Sequence, residues 1–323
     1  MGKLITIGEA LIDFMPRETG APLSDVSAFE RAPGGAPANV AACAARLGAR
    51  SMLITQLGED AFGDFLIKTL RKAGVDVSAV RQAKEAGTGL AFVSLREDGE
   101  REFLFYRSPS ADMLLEPEFI SELWFKEGDI LHFCSVALNS APMRRSHWWA
   151  IEQARSKGML VSFDVNLRFP LWPDAEELRK TVFDFLPGVS LLKASCEELL
   201  FLTGEGHDES VSLMLKKVPV LLVTYGNKGA ALNMRDRCVF HPGYNTPAVD
   251  TTGAGDSFVG SILASLLETG TADLHALSDE SIYSMLERAH AVASLVVAQK
   301  GAINSMPDPE QVRCFTAAHS STT

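Results

Sequence analysis

The feature of this sequence that most restricts its fold is a regular alternation of two kinds of segment. Short apolar runs predict strands at residues 4–8, 51–55, 130–135, 160–164, 191–193 and 220–224. Longer amphipathic runs predict helices at residues 37–47, 60–73, 140–157, 175–186, 254–268 and 281–299. Because neighbouring parallel strands need a crossover between them, usually a helix, this order predicts an α/β fold with a mostly parallel sheet.

One segment interrupts the alternation. Residues 89–95 and 101–107 are both strand-like, and they flank Asp98-Gly99, a strong signal for a tight hairpin turn. Two paired strands without a helix between them do not extend a parallel sheet. They predict a small antiparallel flap, which either covers a ligand or is only an edge hairpin.

Length, charge and cysteine content exclude several classes of protein. The chain has 323 residues, enough for one large α/β unit with an appendage or for two modest domains. A net charge of −11 argues against a nucleic-acid-binding surface, which needs a basic face. The five cysteines show no CxxC or Cys/His spacing, which argues against a disulfide framework or a zinc site. No apolar run approaches the ~20 residues of a membrane span, so we expect a cytoplasmic protein without a membrane anchor.

A glycine-rich turn opens the helix predicted at 254–268. In VDTTGAGDSFVG, Gly253, Ala254 and Gly255 precede Asp256, the first polar residue of the helix. Free N–H groups and the helix dipole make such a turn suitable for a phosphate. A carboxylate there repels a phosphate, but it can take a proton from a hydroxyl that attacks one. The alternative is a simple helix cap.

Three more polar segments follow predicted strands, at the edge of the sheet where open α/β folds bind ligands. The first combines Asp13 with APGGAPAN, a carboxylate and an amide suited to sugar hydroxyls. The others are DVNLR, with Asp164, Asn166 and Arg168, and TYGNKG. None is a Walker A or dinucleotide-binding motif.

Two segments, GGAPANVAACAARLG and DTTGAGDSFVG, resemble the two signatures of the ribokinase-like (PfkB) family of sugar kinases, and the likeness extends over nearly the whole chain. The resemblance implies one kinase domain over residues 1–323. Its fold would be a three-layer α/β/α sandwich with a small β lid, formed by residues 89–107 and part of 12–33. It also implies sugar and ATP as small-molecule ligands, Mg²⁺, and K⁺ as an activator. The sequence does not fix the oligomer, but an exposed apolar lid face often pairs with another, which suggests a homodimer through the lid.

The resemblance also assigns roles to individual residues. The predicted base and anion hole are Asp256, Gly253, Ala254 and Gly255. The predicted sugar-binding residues are Asp13, Gly34, Gly35, Asn39, Phe105, Arg107 and Arg168. The predicted nucleotide-side residues are Lys193, Ser195, Glu198, Thr224, Gly226, Gly229 and His290. The predicted monovalent-cation ligands are Asp250, Thr252 and Ser305.

Two residues depart from the family pattern: Ser195 replaces the Asn of its NxxE motif, and His290 stands where many members have Asn beside the adenine. Glu198 keeps the position that orders magnesium-bound water. KASCEEL, FYRSPSADMLL and DVNLR look most like fructokinases, which make fructose 6-phosphate from fructose and ATP. The alternatives are a 2-keto-3-deoxygluconate kinase, in which Arg107 and Arg168 would hold a carboxylate, and a nucleoside or aminoimidazole riboside kinase. A sugar-binding regulator without catalysis is the alternative from a different class.

Overall fold

The structure, a computed structural model, describes residues 2–18, 20–95, 101–271 and 273–319. Its strands are β1 (Lys3–Ile7), β2 (Leu11–Pro16), β3 (Phe29–Gly34), β4 (Arg50–Gly58), β5 (Val80–Ala83), β6 (Leu90–Leu95), β7 (Arg101–Tyr106), β8 (Ile130–Cys134), β9 (Leu160–Asp164), β10 (Leu191–Ser195), β11 (Val220–Thr224), β12 (Ala230–Asn233) and β13 (Cys238–His241). Its helices are α1 (Ala36–Arg46), α2 (Ala61–Lys72), α3 (Ala141–Ser156), α4 (Ala175–Phe185), α5 (Cys196–Thr203), α6 (His207–Leu215), α7 (Ala254–Thr269), α8 (Asp279–Val297) and α9 (Pro309–His319).

The central sheet has the strand order β13-β12-β11-β10-β9-β8-β1-β4-β5. From β11 through β5 the neighbouring strands are parallel, whereas β12 and β13 are antiparallel additions at one edge. The chain order reverses direction in the sheet around β1, and the segments with Asp13 and DVNLR follow β1 and the nearby β9, whereas TYGNKG follows β11 further along the sheet. The reversal around β1 is the position at which open α/β sheets form ligand crevices.

Alternate residues of each central strand face different helical layers. On β1, Leu4 belongs to the core on the side of α1, α7 and α8, whereas Ile5 belongs to the core on the side of α3 to α6. Leu160 and Val161 on β9 divide in the same way. Because side chains alternate along a strand, apolar residues in succession bury both faces. The predicted three-layer α/β/α sandwich is therefore confirmed.

A second sheet of four strands, which we call the small sheet, has the order β3-β2-β6-β7. β6 and β7 pair antiparallel from Leu90–Tyr106 to Leu95–Arg101, as the hairpin prediction requires. The Asp98-Gly99 turn itself lies outside the described residues. β2 pairs with both β6 and β3, so residues 11–16 and 29–34 join the hairpin in one layer.

The predicted elements occur with shifts of a few residues at their ends, and several short elements were not predicted from periodicity. Those are β2, β3, β5, β12, β13, α5, α6 and α9. In the ranges described above, no helix is both long and apolar enough to cross a membrane.

Candidate active site

The first turn of α7 forms the centre of the site. Gly253 is the N-cap with φ of +78°, a conformation that glycine adopts without a steric penalty. A Cβ at Gly253 would lie 2.6 Å from the Cβ of Ala302, so neighbouring packing also requires glycine there. Ala254, Gly255 and Asp256 then begin the helix. The Ala254 N–H donates to the Thr251 carbonyl at 3.3 Å. The next N–H groups of the turn and the positive end of the helix dipole suit this helix start to an anion.

A cavity of about 260 Å³ lies on one side of this turn. Among the predicted site residues it is lined by Asp13, Gly35, Asn39, Phe105, Arg168, Lys193, Glu198, Thr252, Gly253, Gly255 and Asp256. Gly34 lies behind Asp13, where a Cβ would come within 2.1 Å of its carboxylate Oδ2. The sequence therefore identified about half of the residues that line this polar cavity, which is of the size of a small sugar, although Lys193 and Glu198 were expected on the nucleotide side and Thr252 at the cation.

Asp256 is held at both carboxylate oxygens. Asn39 Nδ2 donates to Oδ2 at 2.7 Å, and Asn166 Nδ2 donates to Oδ1 at 3.3 Å. Burial raises the pKa of Asp256 above its usual value, while the Asn39 amide and the charge of Arg168 act in the opposite direction. A buried carboxylate whose oxygens are held by two amide donors is suited to accept a proton from a nearby hydroxyl.

Lys193 lies beneath the same turn, buried among carboxylates. Its Nζ is 3.0 Å from Asp164 Oδ1 and 4.0 Å from Glu198 Oε2. Burial opposes the charged ammonium, but the charges of Asp164 and Glu198 outweigh that effect and raise the pKa of Lys193. Its position is also close to the turn, because a Cβ at Gly255 would lie 3.7 Å from Nζ. Lys193 is thus a fixed positive charge next to the candidate anion site.

Ser195 and Glu198 form a capping box at the start of α5. Ser195 Oγ accepts from the Glu198 N–H at 3.2 Å, and Glu198 Oε2 accepts from the Ser195 N–H at 2.7 Å. Glu198 Oε1 accepts from the Leu167 N–H at 2.8 Å. Ser195 therefore caps the helix, and its effect is to fix the carboxylate of Glu198 at the wall of the cavity.

Arg107 differs from the expectation that it contacts the acceptor. Its guanidinium makes an ion pair with Asp112, and both side chains are only 1% exposed. Arg107 is absent from the described residues that line the cavity, whereas Arg168 is present. The reason is the nearby carboxylate of Asp112, which binds the arginine inside the protein. Of the two arginines that could hold a substrate carboxylate, the structure brings one to the cavity.

A second cavity, of about 320 Å³, lies on the other side of the α7 turn. Its lining includes the predicted residues Thr224, Gly226, Gly229, Ala254, Gly255 and His290. His290 stacks on His241 with ring centroids 5.1 Å apart and meets Phe258 edge to face. Burial lowers the pKa of His290 to about 4, so its ring is neutral at physiological pH. A partly apolar cleft with a neutral imidazole is suited to an aromatic base.

The two cavities meet at the first turn of α7. Thr251 and Gly255 line both, and Asp256 lies on the 260 Å³ side. A hydroxyl in one cavity and a phosphate chain in the other would meet between the carboxylate and the helix N–H groups. This arrangement can deprotonate the hydroxyl and stabilise the phosphoryl group that it attacks.

A larger cavity of about 1000 Å³, around His207 and Phe240, contains none of the predicted site residues.

The predicted cation ligands come together around Gly301. Asp250 Oδ2 accepts from the Gly301 N–H at 3.0 Å, and Ser305 Oγ donates to the Gly301 carbonyl at 2.5 Å. Asp250 Oδ1 accepts from the Thr252 N–H at 2.9 Å. These residues supply carboxylate, hydroxyl and carbonyl oxygens, the donor type that K⁺ prefers, so they fit such an ion. Within the described ranges, no group of three or more His, Cys, Asp or Glu side chains could hold a metal.

Sequence reasoning missed Glu9, a fully buried carboxyl on the cavity wall. Its Oε1 accepts from the Ala36 N–H at 2.8 Å, so it braces the Gly34-Gly35 turn at the start of α1. Burial raises the pKa of Glu9 to about 7, partly offset by the charge of Arg107. Its position immediately after β1 was the available signal, because this edge of the sheet carries the other site residues.

The comparisons with known proteins agree with this geometry. The family described as "pfkB family carbohydrate kinase" matches residues 1–309. The chain belongs to the pfkB family of carbohydrate kinases. It is 43% identical to "Probable fructokinase-2" of Arabidopsis thaliana over 95% of this chain and 93% of that protein.

Solved structures of fructokinases have the same fold. A fructokinase from Xylella fastidiosa with bound ATP is 34% identical, with a TM-score of 0.89 over 99% of this chain and all of that one. A double-mutant fructokinase from Vibrio cholerae O395, with fructose, ADP and a potassium ion bound, is also 34% identical, with a TM-score of 0.89 over 98% of each chain. As a pfkB family member, the chain is a phosphotransferase with a carbohydrate acceptor, so the predicted family and enzyme class are confirmed.

Proposed function

We propose that this pfkB kinase transfers the γ-phosphoryl group of ATP to the 6-hydroxyl of D-fructose, with Asp256 as general base. The observation that carries the proposal is the contact of the two cavities at the first turn of α7, with Asp256 held on the sugar side. The similarity to fructokinases over nearly the full chain supports fructose as the acceptor.

In the proposed reaction Asp256 takes the proton of the fructose 6-hydroxyl, and the oxygen of that hydroxyl attacks the γ-phosphorus of ATP. The new bond joins that oxygen to phosphorus, and the bond from phosphorus to the β–γ bridging oxygen breaks. ADP leaves with the electron pair, fructose 6-phosphate remains, and the proton stays on Asp256. The N–H groups of Gly255 and its neighbours, together with the charge of Lys193, stabilise the phosphoryl oxygens during transfer.

For the acceptor, we propose that Asp13 and Asn39 bind the ring hydroxyls. Gly34 and Gly35 would let the backbone approach the sugar closely. The proposal favours a neutral sugar over 2-keto-3-deoxygluconate because Arg107 is neutralised by Asp112 inside the protein. One arginine, Arg168, then faces a cavity that also holds several carboxylates. A sugar acid would meet more negative than positive charge there.

For the donor, we assign the nucleotide to the 320 Å³ cavity. Thr224, Gly226 and Gly229 would contact the nucleotide, and the neutral ring of His290 would face the base. We expect Mg²⁺ on the phosphates, with Glu198 ordering its water, because phosphoryl transfer needs that charge neutralised. We expect K⁺ at Asp250, Thr252 and Ser305, where it would shape the α7 turn without contacting the substrate.

Two features of the whole protein complete the proposal. The enzyme would act in the cytoplasm, where ATP is available.

The small sheet would act as a lid over the sugar, and its outer face would pair with that of a second copy. Leu104 and Tyr106 on β7 support this pairing, since their side chains are 46% and 61% exposed.

The test is an acceptor screen with fructose, glucose, ribose, 2-keto-3-deoxygluconate and aminoimidazole riboside, measured as acceptor-dependent ADP release. We expect the highest kcat/KM with fructose, and we expect Asp256→Asn to lower kcat by about 10²–10⁴-fold while ATP binding persists. A higher kcat/KM with 2-keto-3-deoxygluconate that collapses in Arg168→Gln would transfer the assignment to that acceptor. ADP release that no acceptor stimulates would point to a sugar-binding regulator.

A further inference from the structure

Asp256 is held by two amides, and one of them belongs to Asn166, a residue without an assigned role. Asn39, in α1, belongs to the predicted sugar site. Asn166 follows β9, and its Nδ2 donates to Asp256 Oδ1 at 3.3 Å. A carboxylate has about four acceptor positions, so each oxygen of Asp256 can still accept from a substrate hydroxyl. Donors on both oxygens fix the plane of the carboxylate.

The backbone of Asn166 is unusual. Its φ is +39°, and in the described part of the chain it is the one non-glycine residue with a positive φ. Asparagine enters this region more easily than most residues, but glycine enters it at lower cost. The side chain is also buried, with 6% exposed. A buried side chain at a strained position calls for an explanation in what that side chain does.

Hydrogen bonds on both sides hold Asn166 in place. The Val165 N–H donates to the Lys193 carbonyl at 2.9 Å, and the Leu167 N–H donates to Glu198 Oε1 at 2.8 Å. Ser135 Oγ donates to the carbonyl of Asn166 itself at 3.3 Å. The segment is therefore fixed to β10, α5 and the residue after β8, and its backbone aims the amide at Asp256.

We propose that Asn166 is a positioning residue for phosphoryl transfer: its amide anchors Oδ1 of Asp256 and orients the carboxylate toward the acceptor hydroxyl. This inference rests on the proposed role of Asp256 as the base. Asn166 itself exchanges no proton, and it acts through the carboxylate that it holds.

The amide also affects the protonation of Asp256. Burial raises the pKa of Asp256, and the Asn39 amide, Arg168, Lys193 and the Asn166 amide oppose that rise. The other titratable groups around it, on the cavity wall or in electrostatic contact with it, are Glu9, Asp13, Cys43, Cys134, Asp164 and Glu198. Without the Asn166 donor, the pKa of Asp256 rises further. Because the base works only when ionised, the acidic limb of the pH–kcat profile then moves to higher pH.

The test compares three variants of the full chain in ATP-dependent phosphorylation of fructose. Asn166→Gly removes the amide and accepts the positive φ, and Asn166→Asp keeps the shape but replaces the donor by a carboxylate. Asn139→Ala is the matched control: it removes an amide that donates to the nearby Leu171 carbonyl at 3.3 Å and does not contact Asp256. Each variant is measured for kcat, for both KM values, for its pH profile from pH 5 to 9 and for its thermal unfolding midpoint.

We expect Asn166→Gly to lower kcat by about 10–100-fold, the size of effect that a misplaced reacting group produces, with both KM values changed less than about twofold. Its acidic limb moves to higher pH, and Asn166→Asp moves it further. Asn139→Ala keeps the wild-type profile.

Two results would overturn the inference. One is an unchanged kcat and pH profile in Asn166→Gly. The other is a lower kcat with an unmoved acidic limb and a lower unfolding midpoint, which would mean that Asn166 only stabilises the loop. If Asp256→Asn retains wild-type turnover, the base assignment itself is wrong. If Asp256→Asn loses its activity while Asn166→Gly keeps the wild-type kcat and pH profile, only the positioning role of Asn166 is rejected.

Discussion

At the scale of single residues, the buried carboxyl of Glu9 at the cavity wall makes the stability of the fold depend on pH. Its pKa is raised by burial to about 7, whereas an exposed glutamate has a value of 4.5. The unfolded chain therefore releases this proton at a lower pH than the folded protein. As a result, the contribution of Glu9 to the free energy of unfolding falls as pH rises from about 4.5 to 7, by about 3 kcal/mol in total. Above pH 7 this contribution no longer changes.

We accordingly expect Glu9→Gln to become more stable relative to wild type across that interval, since Gln can still accept from the Ala36 N–H. Urea unfolding of both proteins between pH 4.5 and 8 measures the difference. Glu127→Gln, at an exposed carboxylate, is the control and keeps the wild-type pH dependence. A difference between Glu9→Gln and wild type that does not change with pH would contradict the prediction.

The Arg107–Asp112 pair gives a second prediction at this scale. Asp112→Asn leaves the buried guanidinium without its carboxylate partner, so we expect a loss of about 3–5 kcal/mol in the free energy of unfolding. Glu116→Gln breaks the Arg145–Glu116 pair, whose side chains are 56% and 33% exposed, and should cost much less because solvent screens the pair. Urea unfolding at pH 7 compares the two, and equal losses would show that burial is not the cause.

At the scale of elements, α7 has glycine in the left-handed region at both ends. Gly253 and Gly270 have φ of +78° and +71°, but a Cβ at Gly270 would have no atom within 4 Å. Gly270→Ala should thus lose about 1–2 kcal/mol of stability and keep its kinetics. Gly253→Ala carries the same backbone cost, and its Cβ also displaces the anion-binding turn. We expect its kcat to fall about 100-fold or more. If Gly253→Ala and Gly270→Ala have equal kcat values, the turn at Gly253 has no role in catalysis.

The small sheet contributes Phe105 to the wall of the sugar cavity. If this sheet closes over the sugar, Phe105→Ala should raise the KM for fructose and increase the ratio of ATP hydrolysis to fructose phosphorylation, because water then competes as acceptor. Phe119→Ala makes the same truncation at a half-exposed site outside the cavity and should change neither quantity. Coupled measurement of ADP and fructose 6-phosphate gives the ratio. An unchanged ratio in Phe105→Ala would leave the small sheet without a lid function.

The short elements show what local sequence could predict. Periodicity located the long helices and the buried central strands, but α5 is apolar on most sides and β12 has only four residues. Ser195 and Glu198 have the S-x-x-E spacing of a capping box, so α5 did carry a signal. The burial of Arg107 against Asp112 carried none, because nothing local indicates which way a side chain turns.

At the scale of the whole molecule, the family resemblance supplied what periodicity could not: the three-layer sandwich with its β lid and the assignment of distant residues to one site. Asn39 and Asp256 are 217 positions apart, yet they share a hydrogen bond. Residue types at strand ends indicated a polar site. The contacts within it, including the amide of Asn166, depend on how three segments pack together.

The proposed dimer is also tested at this scale. Sedimentation velocity at increasing protein concentration should reveal a dimer, and Tyr106→Asp should keep the protein monomeric by placing a charge on the outer face of β7. Tyr283→Asp, at a 43% exposed tyrosine on α8, is the control and should still dimerise. A wild-type protein that sediments as a monomer at every concentration would contradict the pairing.

The shared lining of the two cavities has a kinetic consequence. Among the described residues only Thr251 and Gly255 line both cavities, so occupation of one cavity leaves the walls of the other largely unchanged. Neither substrate then has to arrive first, and initial-rate plots at varied fructose and ATP should intersect as for random addition. A ligand that joins a sugar to a nucleotide through a phosphate chain could span both cavities at the α7 turn, and its second half would bind at the high effective concentration that the tether provides.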